Sequence, residues 1–172
     1  MTVARGAKHP QSCHERALGL LAVRARSRRE LERRLLQAGF DAIEVDDVLL
    51  RLERVGLIDD RAFAREVARH AFDVKRSGRR GVASALAAKG VSPEVIQDAI
   101  AESGGDEEER ALELARARAR RLGSVEPAKA FGRLVSLLVR RGYGSETART
   151  AARLALELDG DDPSLASRSP GP

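Results

Sequence analysis

Few residues in this chain could do covalent or metal chemistry. Its soft metal ligands are one cysteine, Cys13, and three histidines, His9, His14 and His70. His9 and His14 stand in or beside a polar lead-in, and no second Cys/His group completes a tetrahedral zinc set. Asp59 and Asp60 offer two carboxylates side by side. Neighbours at a helix start do not face one another, so the pair reads as helix caps rather than as a general acid and base. No glycine-rich loop ends in a lysine and a hydroxyl, and no serine stands in a nucleophile elbow. The residues therefore predict a protein that is not an enzyme and needs no metal or cofactor.

Cations say more, by position rather than by number. Arg24, Arg26, Arg28, Arg29, Arg33 and Arg34 form one cluster, and Lys75, Arg76, Arg79 and Arg80 a second. Arg116, Arg118, Arg120 and Arg121 with Arg140 and Arg141 form a third. Ten of these are the candidate partner-binding residues: Arg24, Arg28, Arg29, Arg33, Lys75, Arg76, Arg79, Arg80, Arg140 and Arg141. Repeated on successive units of an array, they would draw a stripe suited to nucleic acid or an acidic protein surface. Some must instead pair with nearby glutamates on a solvated helix face. Phe40, Phe63, Phe72, Phe131 and Tyr143 are too few, and too regularly placed in the packing pattern, to form a base-stacking platform. Any strand binding should be electrostatic and salt-sensitive.

The elements that position these cations follow a grammar first legible in residues 27–52. Ser27 and Glu30 have capping-box spacing, Leu31 and Leu35 share a helix face, and Gly39 suits the left-handed residue that stops a helix. Phe40 can fold back on Leu35. Asp41 can cap a following helix striped by Val45, Val48, Leu49 and Leu52. Gly90 lies 51 residues after Gly39, and Gly142 lies 52 after Gly90. In that register Leu31 and Leu35 become Val82 and Leu86, then Leu134 and Leu138. Phe40 becomes Val91, then Tyr143. Val45, Val48 and Leu49 become Ile96, Ala99 and Ile100, then Ala148, Ala151 and Ala152. Apolar residues recurring in register around a glycine mark a structural repeat.

The remaining sequence fills in the frame. A helix is expected over Cys13 to Arg24, and another after Gly56 with Phe63, Ala64, Val67, Ala68 and Ala71 on one face. Ser92-Pro93 can cap and open a helix, and Ser103-Gly104-Gly105 is the clearest break. Asp106 to Leu122 is expected to be the longest first helix of any repeat, acidic at its start and arginine-rich at its end, as the macrodipole favours. The expected parts are a flexible lead-in (1–12), three-helix repeats over 13–56, 57–103 and 104–158, and a disordered tail (159–172). Were these units operator-reading modules, the helix after each glycine would enter the major groove. The first such helix begins with Asp41, Glu44, Asp46 and Asp47, and the second carries Glu94 and Asp98, so both would meet phosphates with like charge. Only the third, with Arg149 and Arg153, is compatible. Sequence-specific operator binding is therefore not expected.

At 172 residues, rich in leucine, alanine, arginine and glutamate and poor in β-branched and aromatic residues, the class is all-α. The net charge is +5; the last fourteen residues carry −2, so residues 1–158 carry +7. A single cysteine precludes an internal disulfide, and no run approaches the roughly 20 apolar residues of a membrane helix. No secretory signal is evident. The expected setting is cytoplasmic, and the default state a monomer.

Taken in order, these segments resemble the RecX family, regulators of the RecA recombinase. Ala17-Leu18-Gly19-Leu20-Leu21 through Ser27-Arg28-Arg29-Glu30-Leu31 and Gly39-Phe40 is similar to its opening motif. Gly56-Leu57-Ile58-Asp59-Asp60-Arg61-Ala62-Phe63-Ala64 resembles its most distinctive segment. Arg79-Arg80, Leu86, Lys89-Gly90-Val91 and Leu137 to Tyr143 continue the likeness, which spans about Cys13 to Leu158. Gly81, Ala83, Ala85 and Ala87 depart from the longer side chains expected there. The resemblance implies three tandem three-helix repeats in an elongated, curved helical array. It also implies binding along the RecA–DNA filament, in its helical groove, with inhibition of ATP hydrolysis and strand exchange, and so regulation of recombination and DNA repair. Two other readings remain: a sequence-independent array that binds single- or double-stranded DNA without RecA, and a helical scaffold for another acidic protein.

Overall fold

The structure, a computed structural model, describes residues 11–156. Most of the expected lead-in and all of the expected tail lie outside the described residues, as do the last two positions of the third repeat. Ser12, counted with the lead-in, in fact opens the first helix. It accepts the Glu15 amide while the Glu15 carboxylate accepts the Ser12 amide, a complete capping box.

Among the described residues there are nine helices and no strand. They are α1 (Cys13–Val23), α2 (Arg28–Gln37), α3 (Ala42–Arg54), α4 (Asp60–Asp73), α5 (Arg79–Ala88), α6 (Pro93–Ser103), α7 (Glu107–Ala119), α8 (Pro127–Arg140) and α9 (Ser145–Ala155). The chain divides into two compact units. Unit 1 takes the described residues up to Glu66 with Leu86–Ala99; unit 2 takes Val67–Ala85 with the described residues from Ile100 onward.

Unit 1 is built on α1, α2 and α3. Cys13 and Ala17 of α1, Leu31 and Leu35 of α2, and Val45, Val48, Leu49 and Leu52 of α3 are buried together with Ile58. The turn between α2 and α3 explains why these stripes meet. Gly39 sits at φ 94°, its amide bonds the Leu36 carbonyl at 2.9 Å, and the Phe40 amide reaches Leu35 at 3.3 Å. That pair of bonds is a Schellman stop, and Phe40 packs back on the core. Asp41 then caps α3 through the Ile43 amide at 2.8 Å.

The same stop recurs. Gly90 (φ 76°) precedes a Val91 amide bonded to Leu86, and Gly142 (φ 85°) a Tyr143 amide bonded to Leu138. The register is physical, since Leu31, Leu35, Val82, Leu86, Leu134 and Leu138 are all 0% exposed.

In unit 2, alanines let α7, α8 and α9 approach closely. Ala111 and Ala115 of α7 pack with Leu138 and Tyr143 and with Ala148 and Ala151 of α9. A second cluster joins Leu122, Ala130, Phe131, Leu134 and Ala152. Asp106 caps α7, and Glu126 caps α8 with Pro127 in its first turn. One expectation fails: α7 has 13 residues and stops at Ala119, one residue shorter than α4 at 14. Its last turn alternates Arg116 and Arg118 with alanines, and turns rather than further helix carry the chain to Leu122.

Two glycines with the same left-handed backbone should differ in what they tolerate. A Cβ on Gly56 (φ 75°) meets open space, whereas one on Gly142 would overlap the backbone of Gly81. Gly56→Ala should lose about 1 kcal/mol by denaturant unfolding, from the left-handed conformation alone. Gly142→Ala should lose about 3 kcal/mol or more, because backbone must also move. Equal losses would show that the collision is relieved at no cost.

Candidate partner-binding surface

Four of the candidate cations, Arg28, Arg29, Arg79 and Arg80, open helices whose orphan amides must find acceptors once buried. In unit 1 the site is the start of α2. Ser27, 0% exposed, accepts the Glu30 amide at 3.1 Å, and its hydroxyl donates to the Lys89 carbonyl. The Arg28 amide donates to Asp60 Oδ1 at 2.8 Å. The two aspartates read as caps thus split their work: Asp59 caps α4 through the Ala62 amide at 2.9 Å, while Asp60 caps α2. Arg29 lays its stem across Gly90, where any Cβ would strike it.

Glu30 does not complete the capping box its spacing suggests. Its carboxylate receives Arg24 Nη2 at 2.9 Å and Lys89 Nζ at 3.4 Å. Lys89 also lies 5.7 Å over the Phe63 ring. Burial pushes the Glu30 carboxyl up, but the Arg24 hydrogen bond, the Lys89 and Arg24 charges and the Ser27 contact outweigh it, bringing the pKa to about 2.

Unit 2 builds the same joint from equivalent positions at the start of α5. The Gly78 amide donates to the Arg141 carbonyl at 2.9 Å, where in unit 1 the Ser27 hydroxyl donates to the Lys89 carbonyl. The Arg79 amide donates to Glu107 Oε1 at 2.7 Å, as Arg28 does to Asp60. Gly81 sits against the backbone of Arg141 and Gly142, which explains why a longer side chain is missing there. The Arg141 guanidinium donates to the Lys75 carbonyl, and the Tyr143 hydroxyl to the Arg76 carbonyl at 2.9 Å. Burial raises the Tyr143 pKa, keeping it the donor. In each unit the positive end of one helix meets the carbonyls that end another, a favourable arrangement of dipoles.

These joints sort the ten candidates. Arg24 pairs with Glu30, Arg28 with Asp46 and Glu53, and Arg29 with Glu32. Arg76 pairs with Glu113, and Arg79 with Glu107 and the Gly105 carbonyl. Arg141 is held by the Lys75 carbonyl. Arg33, Lys75, Arg80 and Arg140 are exposed, and their side chains meet no carboxylate among the described residues. Within unit 2, Lys75, Arg76, Arg79, Arg80 and Arg141 converge on one joint, so the second and third sequence clusters partly merge. Arg26 belongs to no surface cluster. It is 7% exposed and spends its Nε on the Leu20 carbonyl at 3.1 Å. Lys89 went unnoticed as a site residue, although its place 52 residues before Arg141 would have marked it.

The other candidate chemistries stay thin. Cys13 is buried, and burial together with Glu44 raises its thiol pKa, away from a reactive thiolate. Among the described residues no group of three His, Cys, Asp or Glu is placed to hold a metal ion. No described helix is long and apolar enough to cross a membrane.

The depressed pKa of Glu30 has a sign that can be measured. A carboxylate lowered from 4.5 to about 2 stabilises the fold above its unfolded pKa and loses that contribution as pH falls through the interval. Glu30→Gln should therefore cost roughly 1–3 kcal/mol at neutral pH by urea unfolding. The gap between wild type and variant should close between about pH 4.5 and pH 2. A gap independent of pH would assign Glu30 a packing role instead.

Comparison with known proteins identifies the family. The family profile described as RecX, first three-helix domain, matches residues 13–52, and that of the second three-helix domain matches residues 59–100. The regulatory protein RecX of Mycobacterium sp. (strain JLS) is 38% identical over 156 residues, covering 88% of this chain and 84% of that protein. The regulatory protein RecX of Chlorobaculum tepidum is 34% identical over 145 residues, covering 84% and 89%. The crystal structure of RecX from Lactobacillus salivarius superposes with a TM-score of 0.72 at 19% identity, covering 83% of this chain and 94% of that one, a likeness of fold. By sequence, and over most of its length, the chain belongs to the RecX family of regulatory proteins.

Proposed function

We propose that this protein is a non-enzymatic modulator of the RecA recombinase. It binds along the RecA–DNA filament, in its helical groove, and inhibits ATP hydrolysis and strand exchange. The observation that carries the reading is the ordered family likeness across both profile-matched segments, joined to exposed cations whose side chains meet no carboxylate among the described residues. A regulator that acts by docking needs no catalytic group. What it needs is charge left available after folding, and Arg33, Lys75, Arg80 and Arg140 supply it. Neither joint relies on these four side chains for a described ion pair, so they are the positions where a partner can be gripped without competition from the fold. The partner is an acidic protein groove with DNA enclosed in it, and the contacts are many and individually weak.

The test uses purified full-length protein with RecA on single-stranded DNA. Substoichiometric to stoichiometric protein should lower ATP turnover and strand exchange. The combined variant Arg33→Glu, Lys75→Glu, Arg80→Glu and Arg140→Glu should need roughly tenfold more protein or above for the same inhibition, with unchanged helicity by circular dichroism. ATPase and strand exchange untouched by excess wild-type protein would end the proposal. Tight binding to bare DNA with a steep salt slope and no dependence on RecA would instead select the nucleic-acid array.

A further inference from the structure

Unit 2 carries a cleft whose electrostatics run against those of the whole chain. It measures about 430 Å³ and lies between α7 and α9, lined by Glu108, Glu109 and Leu112 from one side and by Glu146, Thr147, Thr150, Ala151 and Leu154 from the other. On α9, Thr147, Thr150, Ala151 and Leu154 follow the i, i+3, i+4, i+7 stripe of a single face. The groove thus runs two turns of helix, or roughly 10 Å. Its floor is apolar, with Ala151 in the core and Leu154, 52% exposed, at one end. The small-residue contact of Ala111 and Ala115 with Ala148 and Ala151 holds the two walls at a set separation.

Three carboxylates stand around that floor, and none of the described residues lining it is a cation. Other acids of α7 are engaged: Glu107 with Arg79, and Glu113 with Arg76. Glu108, Glu109 and Glu146 make no ion pair among the described residues. In a chain with 31 lysines and arginines, a groove whose charged lining residues are all acids is a local inversion of charge. Like charge disfavours nucleic acid or an acidic protein here, while a basic segment gains from each carboxylate.

We propose that this groove docks a basic segment of a partner protein, in which lysines or arginines flank aliphatic side chains. The aliphatic groups cover Leu112 and Leu154, and the flanking cations meet Glu108, Glu109 and Glu146. The surface is chemically opposite to the exposed cations discussed above, so the inference does not rest on the recombinase reading.

The test is fluorescence anisotropy of the full-length protein with a short fluorescein-labelled peptide of lysines and arginines carrying two leucines four apart. Wild type should bind this peptide more tightly than its leucine-to-serine counterpart. Glu109→Gln with Glu146→Gln should weaken binding roughly tenfold, and Leu154→Ser about fivefold. Glu66→Gln with Glu94→Gln, which removes the same charge from unit 1, should leave binding unchanged. Failure of wild type to bind would overturn the proposal. Equal affinity for the serine peptide, or equal weakening by the unit 1 variant, would overturn it as well, by reducing the effect to general attraction between opposite charges.

Discussion

A buried helix start must find hydrogen-bond acceptors for its first amides, and much else in this protein follows from how that requirement is met. Neither α2 nor α5 satisfies it from its own segment alone. Each borrows a carboxylate from the first residue of a later helix, Asp60 for Arg28 and Glu107 for Arg79, and each is seated on the carbonyls where another helix ends. An amide left without such a partner costs more than the bond itself contributes, so these contacts fix where the elements can lie. The left-handed glycines belong to the same device. They turn the chain so that the receiving carbonyls face the joint, and they leave room for Arg29 or Gly81 to come close.

That device also decides what the arginines are for. A cluster of like charges beside a helix start would oppose folding unless acids were threaded through it. Glu30, held between Arg24 and Lys89, is the clearest case: a buried carboxylate that stays ionised because two cations outweigh its burial. Arg28 and Arg79 are likewise committed to carboxylates while their amides are capped. Of the ten candidates, Arg33, Lys75, Arg80 and Arg140 are left over, all at exposed positions. Under the proposed docking function this division is favourable, since the fold would not compete with the partner for the same cations.

The acidic groove between α7 and α9 extends the same logic with the opposite sign. The first turns of both helices accept carboxylates readily, because the amide dipoles favour negative charge there. Dipole preference accounts for glutamates in those turns, but not for a solvent-facing leucine and a stripe of small residues set between them. On the two proposals together, the exposed cations and the acidic groove would engage segments of opposite charge.

Much of this could be read from the residues. Leucine spacing, the glycine register and the local capping residues foretold the helices of the described residues, the three glycine stops and the buried stripes, because each depends on neighbours within a turn or two. The candidate cations were also visible as clusters, since like residues crowded along the chain need no fold to be counted. Tertiary structure alone decided their roles. Whether Arg28 is spent on Asp46 and Glu53 while Arg33 faces water depends on groups brought close by packing, and so does the seating of Ser27 on the Lys89 carbonyl, 62 residues away. Ser27 and Glu30 show the limit within a single motif: local spacing foresaw the serine cap, while the glutamate turned to Arg24, six residues back, and to Lys89, which only packing brings close.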